Sequence, residues 1–180
     1  MAPLDTGPDK SIANIDSDSL KTGDLVFRRQ SGLISELARQ LSPREQRFSH
    51  VGVVLVNDHG VEVVHAVSDE ARGFDGVVIE NLNAFIEESS DWSFYRLPLS
   101  ANQRGRVAAS ARDAARIQTP FDDDFDLTSN DRLYCTEFVA KVFSAVLNQQ
   151  LFETSFAPGG RPYLPVDALY LHSAATPLIP

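Results

Sequence analysis

The chain has 180 residues but only one cysteine, one tryptophan and one methionine. A single cysteine excludes an internal disulfide framework, and no group of cysteines and histidines has the spacing of a structural zinc site. No apolar run approaches the roughly 20 residues that a membrane-crossing helix requires. Because 43% of the residues are hydrophobic, we expect a globular protein that is stabilised by its own core.

Basic residues are scarce relative to acidic ones, because 16 Lys and Arg oppose 25 Asp and Glu and leave a formal net charge of −9. Nucleic-acid binding draws its affinity from clustered Lys and Arg, and this sequence has no such cluster, so nucleic acid is not an expected partner. Residues 1–19 are polar, with acids and prolines in place of a basic and apolar secretory signal. We expect them to form a loose arm, and residues 20–180 to form a single domain.

Two apolar strands with a turn between them give the clearest signal of regular structure. The segments HVGVVLV, NDHG and VEVVHAV predict an antiparallel hairpin with a loop of about four residues. Further strands are predicted at LVF, GVVIENL and DWSFYRLPL, and helices at 31–42, at 102–118 and from residue 135 onward. The strands cluster without regularly intervening helices, which favours an α+β fold with an antiparallel sheet packed against helices.

The single cysteine stands at the start of the last predicted long helix, whose apolar residues follow at helical spacing. A cysteine attacks as the thiolate, so its ordinary pKa near 8.5 must be lowered for reaction at neutral pH. A helix N-terminus supplies about half a positive charge, and its free N–H groups can also receive an oxyanion. The sequence therefore predicts an activated thiol at Cys135, although a lone cysteine is more often a small buried hydrophobic residue.

Two histidines on the predicted hairpin complete a candidate catalytic group. His50 begins the first strand and His65 lies near the end of the second, so the antiparallel turn returns them to neighbouring positions. An imidazole can take the proton of a thiol while a third polar group holds the ring in one tautomer. Either histidine alone would be typical of a structural residue, but the combination with Cys135 predicts a nucleophile with its base.

Three segments of this chain resemble a known superfamily. The segment SHVGVVLVNDHGVEVVHAV is similar to the His-strand-turn-strand signature of the NlpC-type cell-wall peptidases, LKTGDLVF to their Gly-Asp strand, and YCTEFVAKVF to their nucleophile helix. In those peptidases the cysteine helix comes first, whereas here it comes last. That order, together with TPFDDDFDL before the cysteine, resembles the YiiX-like branch, which is related to the lecithin-retinol acyltransferase group.

The resemblance implies a circularly permuted papain-like catalytic domain that needs no metal or organic cofactor. Carried over by position, it makes Cys135 the nucleophile, His50 the base and His65 the orienting third member. Some permuted relatives have a carboxylate at the third place. The implied reaction is acyl transfer from an amide, ester or thioester carbonyl to the cysteine, followed by release to water or to another acceptor.

The substrate stays open among hypotheses of different classes. The first is a peptide amide of bacterial peptidoglycan, cleaved in the periplasm or outside the cell after export without a classical signal. The sequence favours this location and leaves a cytoplasmic one open. As a toxin delivered to competitors, such an enzyme would have an immunity or inhibitor protein as a partner. The second hypothesis is a lipid-directed acyltransferase or thioesterase, and the third is a catalytically silent binding module that keeps the fold.

Two residues near the motifs have alternative roles. Tyr134 precedes the cysteine, and its hydroxyl either assists the oxyanion or belongs to a side chain that only packs. Asp24 in the Gly-Asp turn is either a second partner of the site or a turn residue that bonds its own backbone, which is the usual behaviour of Asp there and the alternative we favour.

The acidic segment before the cysteine invites a calcium interpretation. Asp122, Asp124 and Asp126 occupy positions 1, 3 and 5 of an EF-hand loop, but Leu127 and Leu133 stand where that loop needs Gly and Glu. We therefore expect a solvated loop near the cleft. Glu137 is expected to complement the helix dipole and to lie outside the site.

Overall fold

The computed structural model describes residues 16–87, 89–129 and 131–178. A six-stranded antiparallel sheet dominates them, in the spatial order β4-β3-β2-β1-β5-β8. The strands are β1 (Leu25–Arg29), β2 (His50–Asn57), β3 (Gly60–Asp69), β4 (Phe74–Asn81), β5 (Asp91–Arg96), β6 (Ser155–Phe156), β7 (Pro162–Tyr163) and β8 (Thr176–Pro177), of which β6 and β7 pair separately. The helices are α1 (Leu33–Gln40), α2 (Leu82–Ile86), α3 (Ala101–Ile117), α4 (Cys135–Leu147) and α5 (Asp167–Tyr170).

The strands bury both faces of the sheet, because neighbouring residues along a strand point to opposite sides. Val53 and Leu55 of β2 belong to the larger core cluster, which includes the buried side chains of α4. Val54 between them belongs to a second cluster with Phe85 of α2. The α+β prediction is therefore confirmed, with α4 on one face of the sheet and α2 on the other.

The hairpin is tighter than predicted. Asn57 pairs with Gly60, so Asp58 and His59 alone form the turn, and the expected loop of about four residues was wrong. The side chain of Asn57 accepts a hydrogen bond from the N–H of His59 at 2.8 Å, and Gly60 adopts a φ of 123°, which suits glycine. These local contacts close the turn in two residues and set the register of both strands.

The register places the two histidines diagonally on one face of the sheet. The β2–β3 ladder begins with Val53 opposite Val64, and one further step brings His65 to the level of Gly52. Because His50 lies two residues before Gly52, both rings project on the same side as Val54, where Phe85 packs against them. The prediction that they return to neighbouring positions is confirmed.

The predicted N-terminal arm lies mostly outside the described residues, which begin at Asp16. Of its last residues, Ser17–Ser19 form one exposed 3-10 turn. No helix among the described ranges is long and apolar enough to cross a membrane.

The space above Gly52 is filled by the neighbouring strand, which makes this glycine a test of the register. A methyl group at Gly52 would lie 2.3 Å from Cγ1 of Val63 and 3.3 Å from Cβ of His65. We expect Gly52→Ala to lower the free energy of unfolding, measured in urea, by about 1–3 kcal/mol, the usual cost of overpacking. Gly105→Ala is the control, because nothing lies within 4 Å of its added Cβ and helix propensity should raise stability by roughly 0.5–1 kcal/mol. Equal changes in the two variants would contradict the crowding at Gly52.

Candidate active site

A cavity of about 350 Å³ lies beside the start of β2 and the end of β3. Cys135 and His50 both line this cavity. Its walls come from the start of α1, the ends of β1 and β3, and the loop before α4, through residues that include Arg28, Ile34, Ser49, Asp69, Phe121 and Phe125. The structure therefore brings the sequence-predicted thiol and imidazole to one cavity although 85 residues separate them in the chain.

Cys135 is the first residue of α4, after Tyr134 in extended backbone conformation. Its side chain is only 3% exposed. Burial raises the pKa of the thiol to about 11, although hydrogen bonds from the backbone N–H groups of Val51, Thr136 and Cys135 and the charge of Arg28 act to lower it. The helix start therefore acts on the sulfur in the predicted direction, but the prediction of a lowered pKa is wrong because desolvation outweighs it.

The histidine rings form a hydrogen-bonded chain with a carboxylate that the sequence patterns did not reveal. Nε2 of His50 lies 2.8 Å from Nδ1 of His65, and Nε2 of His65 lies 2.9 Å from Oε2 of Glu80 on β4. Phe85 covers both rings, with its centroid 5.7 Å from that of His50 and 4.9 Å from that of His65. The three polar side chains thus cross three neighbouring strands on one buried face.

The carboxylate at the end of this chain sets the tautomers of both rings. An ionised carboxylate only accepts hydrogen bonds, so Nε2 of His65 carries a proton and its Nδ1 is free to accept. Nε2 of His50 then donates to that nitrogen, which leaves Nδ1 of His50 unprotonated. Burial opposes ionisation of Glu80, but the hydrogen bond from His65 and the charges of Arg72 and Arg28 act with it to lower the pKa of Glu80 overall.

Both imidazoles are neutral at ordinary pH. Burial lowers the pKa of His50 well below its usual value, and Arg28 and His65 reinforce this shift. Burial also lowers the pKa of His65 to about 4, against the raising effect of the hydrogen bond to Glu80. The resting site therefore holds a neutral thiol and a neutral base, in which proton transfer can accompany attack of the sulfur.

Two arginines border the chain of histidines. Arg72 makes ion pairs with Asp69 at 2.7 Å and with Glu80 at 2.8 Å. Arg28 pairs with His50 in the β1–β2 register, donates a hydrogen bond from Nη1 to the carbonyl of Phe85, and places its guanidinium 4.1 Å from the centroid of that ring. Arg28 is 1% exposed, and burial lowers its pKa to about 10, which still leaves it a cation at neutral pH.

The two residues with alternative predicted roles lie apart from the chain of histidines. The hydroxyl of Tyr134 accepts a hydrogen bond from the N–H of Leu164 at 2.8 Å, and burial raises its pKa, which supports the packing alternative. Asp24 accepts from the N–H of Lys21 at 2.8 Å and binds Arg96 with an oxygen-to-nitrogen distance of 2.6 Å. The local turn role that we favoured for Asp24 thus has a structural basis.

The acidic loop is partly buried instead of fully solvated. Asp122 is 3% exposed, and its carboxylate accepts the N–H groups of Asp124 at 3.0 Å and of Asp126 at 2.8 Å. The expectation of a solvated loop was wrong for Asp122, because that side chain organises the turn itself. Among the described residues no group of three or more His, Cys, Asp or Glu side chains is arranged to hold a metal ion.

A cysteine at a helix start and a histidine carried by an antiparallel sheet, lining one cavity, form the arrangement that is typical of papain-type cysteine hydrolases. A family model described as "Permuted papain-like amidase enzyme, YaeF/YiiX, C92 family" matches residues 19–157. The chain belongs to this family of cysteine amidases and peptidases, which confirms the resemblance carried by the motifs. The cysteine helix follows the histidine hairpin, as the permuted order requires.

A solved structure supports the fold independently. The chain is similar to the crystal structure of the metalloprotein yiiX from Escherichia coli O157:H7, with 22% sequence identity and a TM-score of 0.74, over 88% of this chain and 96% of that one. A search of curated proteins found no match. That relative is described as a metalloprotein, whereas in the present chain the ring nitrogens of His50 and His65 and the carboxylate of Glu80 are hydrogen-bonded to one another.

The raised pKa of the thiol leads to a direct test. Because the thiolate is the form that reacts, alkylation of Cys135 by iodoacetamide should keep accelerating beyond pH of about 8.5, where an ordinary thiol levels off, and should level off only near its pKa of about 11. Because the chain has a single cysteine, the adduct on the peptide that contains residue 135, followed by mass spectrometry, reports this thiol alone. The same chain unfolded in urea is the control and should level off at the ordinary value. A plateau already reached at neutral pH would instead show a resting thiolate.

Proposed function

We propose that Cys135 attacks a carbonyl carbon with His50 as its general base, and that His65 orients that base. The observation that carries the proposal is that Cys135 and His50 line one cavity while the 2.8 Å bond to His65 leaves Nδ1 of His50 free. A binding module would have no need for a nucleophile beside a base in this tautomer. The supported function is therefore cysteine-dependent hydrolysis through a Cys-His-His group.

The proposed reaction begins from neutral partners. The Sγ–H proton passes to Nδ1 of His50 as the sulfur adds to the carbonyl, and the N–H groups of Cys135, Thr136 and Val51 stabilise the resulting oxyanion. Collapse of this intermediate breaks the bond to the leaving group, which takes the proton from His50, and leaves an acyl-enzyme. Water then attacks with His50 again as base and regenerates the thiol.

Glu80 enters the proposal as a further positioning residue. The positive charge that forms on His50 is unfavourable in a buried site, especially beside Arg28. The hydrogen bond from His50 to His65, and from there to the carboxylate, lets the negative charge of Glu80 act on the ring at the moment when it is protonated.

The first substrate is a peptide amide of peptidoglycan. The amidase family supports the amide bond, and the cavity supports a peptide because charged and hydroxylated side chains of Arg28, Ser49, Ser68 and Asp69 line it. Action outside the cytoplasm, and an immunity protein if the enzyme is a toxin, follow from this substrate and belong to the same proposal.

One observation favours a lipid-directed activity as the second candidate. The helix α1 exposes three large apolar side chains, Leu33 at 76%, Leu37 at 44% and Ile34 at 37%. Leu33 and Ile34 also line the cavity, so an acyl chain that enters towards Cys135 would pass over them. Such contact would suit an acyltransferase or thioesterase.

The two substrate classes can be separated by one set of incubations. Purified muropeptides and acylated lipids are treated with the enzyme, and products and the intact mass of the protein are followed by mass spectrometry. We expect amide cleavage in muropeptides, a transient acyl adduct on Cys135, and loss of both in Cys135→Ala and His50→Ala. His59→Ala, in the exposed hairpin turn, is the control and should remain active. Acyl adducts from the lipids alone would favour the second candidate, and no adduct from either class would overturn the proposal.

Glu80→Gln tests the proposed control of the tautomers. A glutamine amide can donate to Nε2 of His65, which would reverse both hydrogen bonds and place a proton on Nδ1 of His50. We expect kcat to fall by about 100-fold or more, the usual contribution of a general base, with little change in KM. Glu62→Gln on the same sheet, which loses only a bond to Asn57, is the matched control. Full activity of Glu80→Gln would contradict the assignment.

A further inference from the structure

Arg28 is a buried cation whose hydrogen-bonding capacity is only partly used. Its side chain is 1% exposed, and the carbonyl of Phe85 accepts from Nη1, whereas Nε is buried with no partner among the described residues. Removing a donor of a charged group from water without a partner is costly. A bound ligand could therefore accept the hydrogen bond that Nε of Arg28 does not make within the protein.

The nearby carboxylates do not pair directly with Arg28. Asp69 and Glu80 both act on its charge, but Arg72 makes the close contacts with each of them, at 2.7 Å and 2.8 Å, and Glu80 also accepts from His65. Within the described ranges no carboxylate lies at ion-pair distance from Arg28. Of the two arginines beside the histidines, Arg72 has direct anionic partners and Arg28 has none.

The position of Arg28 puts this charge beside the reacting atoms. Arg28 lines the same cavity as Cys135 and His50, lies opposite His50 in the sheet register, and acts electrostatically on the sulfur. A planar guanidinium matches the geometry of a carboxylate, and Nε of Arg28 is a donor that lacks a partner. An anion in the cavity would therefore meet Arg28 as it approaches the thiol.

We propose that Arg28 forms an anion-binding subsite that receives a carboxylate of the substrate next to the bond attacked by Cys135. The inference rests on the proposed function and narrows its substrate class to acyl donors with a free carboxylate close to the scissile bond, such as peptides with acidic residues. Arg28 is then a specificity-determining residue, because a neutral analogue leaves its donors unpaired.

The subsite can be tested without any substrate, by comparing how fast Cys135 reacts with a negatively charged and with a neutral alkylating reagent. Iodoacetate and iodoacetamide react with the same thiolate, so the ratio of their rates cancels the ionised fraction of Cys135 and reports only the local response to a negative charge. We expect a ratio at least tenfold higher in the folded chain than in the chain unfolded in urea, the size of one charge-assisted hydrogen bond. The net charge of −9 would by itself give the opposite result.

Variants assign the preference to one side chain. Arg28→Gln should abolish the preference for iodoacetate, and Arg28→Lys should keep most of it because the charge remains. Arg29→Gln, next along the strand but exposed, is the matched control and should behave as wild type. Equal ratios in the folded and unfolded chain, or a preference that persists in Arg28→Gln, would overturn the subsite and leave Arg28 a structural ligand of Phe85.

A protection experiment on the wild-type chain tests the subsite even if an Arg28 variant fails to fold. Glutarate should protect Cys135 from iodoacetamide in a saturable way, whereas the neutral glutaramide should not, and equal protection by both would overturn the proposal. With an active substrate, replacing the carboxylate next to the scissile bond by a carboxamide should lower kcat/KM by tenfold or more in wild type but not in Arg28→Gln. Absence of any acyl-enzyme would instead defeat the proposed function, so the two failures are distinguishable.

Discussion

The site depends on a row of hydrogen bonds that crosses three strands in a dry environment. His50, His65 and Glu80 come from β2, β3 and β4, and the row exists only if the registers of both strand pairs are correct. A shift by one residue would turn any of these side chains to the opposite face of the sheet. The two-residue hairpin turn and the close approach over Gly52 are therefore constraints on chemistry as much as on folding.

Burial determines the resting charge of this row. Desolvation raises the pKa of the thiol and lowers the pKa of both imidazoles, so the ion pair that a helix start would favour is not formed at rest. The remaining charges lie at the two ends of the row, where Glu80 on β4 carries a carboxylate and Arg28 on β1 carries a guanidinium. In the proposed reaction, charge is separated only while the sulfur attacks, which is when the fixed N–H groups and the carboxylate would stabilise it.

Much of this architecture could be predicted from local patterns. The helical spacing after Cys135 predicted a thiol at a helix start, and the apolar hairpin predicted that His50 and His65 are neighbours. Together these two patterns were sufficient to predict a catalytic group. Glu80 was missed although it follows His65 by the same 15 residues that separate His65 from His50, because only the register of a third strand shows that all three share a face. Arg28 was missed because β1 and β2 are separated by α1, and desolvation of the thiol cannot be read from its position in a helix.

The permuted chain order has a physical consequence for how the sulfur is held. No short connection joins α4 to the hairpin, so the position of Cys135 relative to His50 depends on side-chain packing between the helix and the sheet. Phe138 and Val139, one turn beyond the cysteine, are buried in the same cluster as Val51 and Val53. Because close-packed cores transmit small displacements, a cavity made beneath this first turn would shift the sulfur along with the helix. Stability and reactivity are thus coupled through the same contacts, and the order of the elements in the chain matters less than the face on which α4 packs.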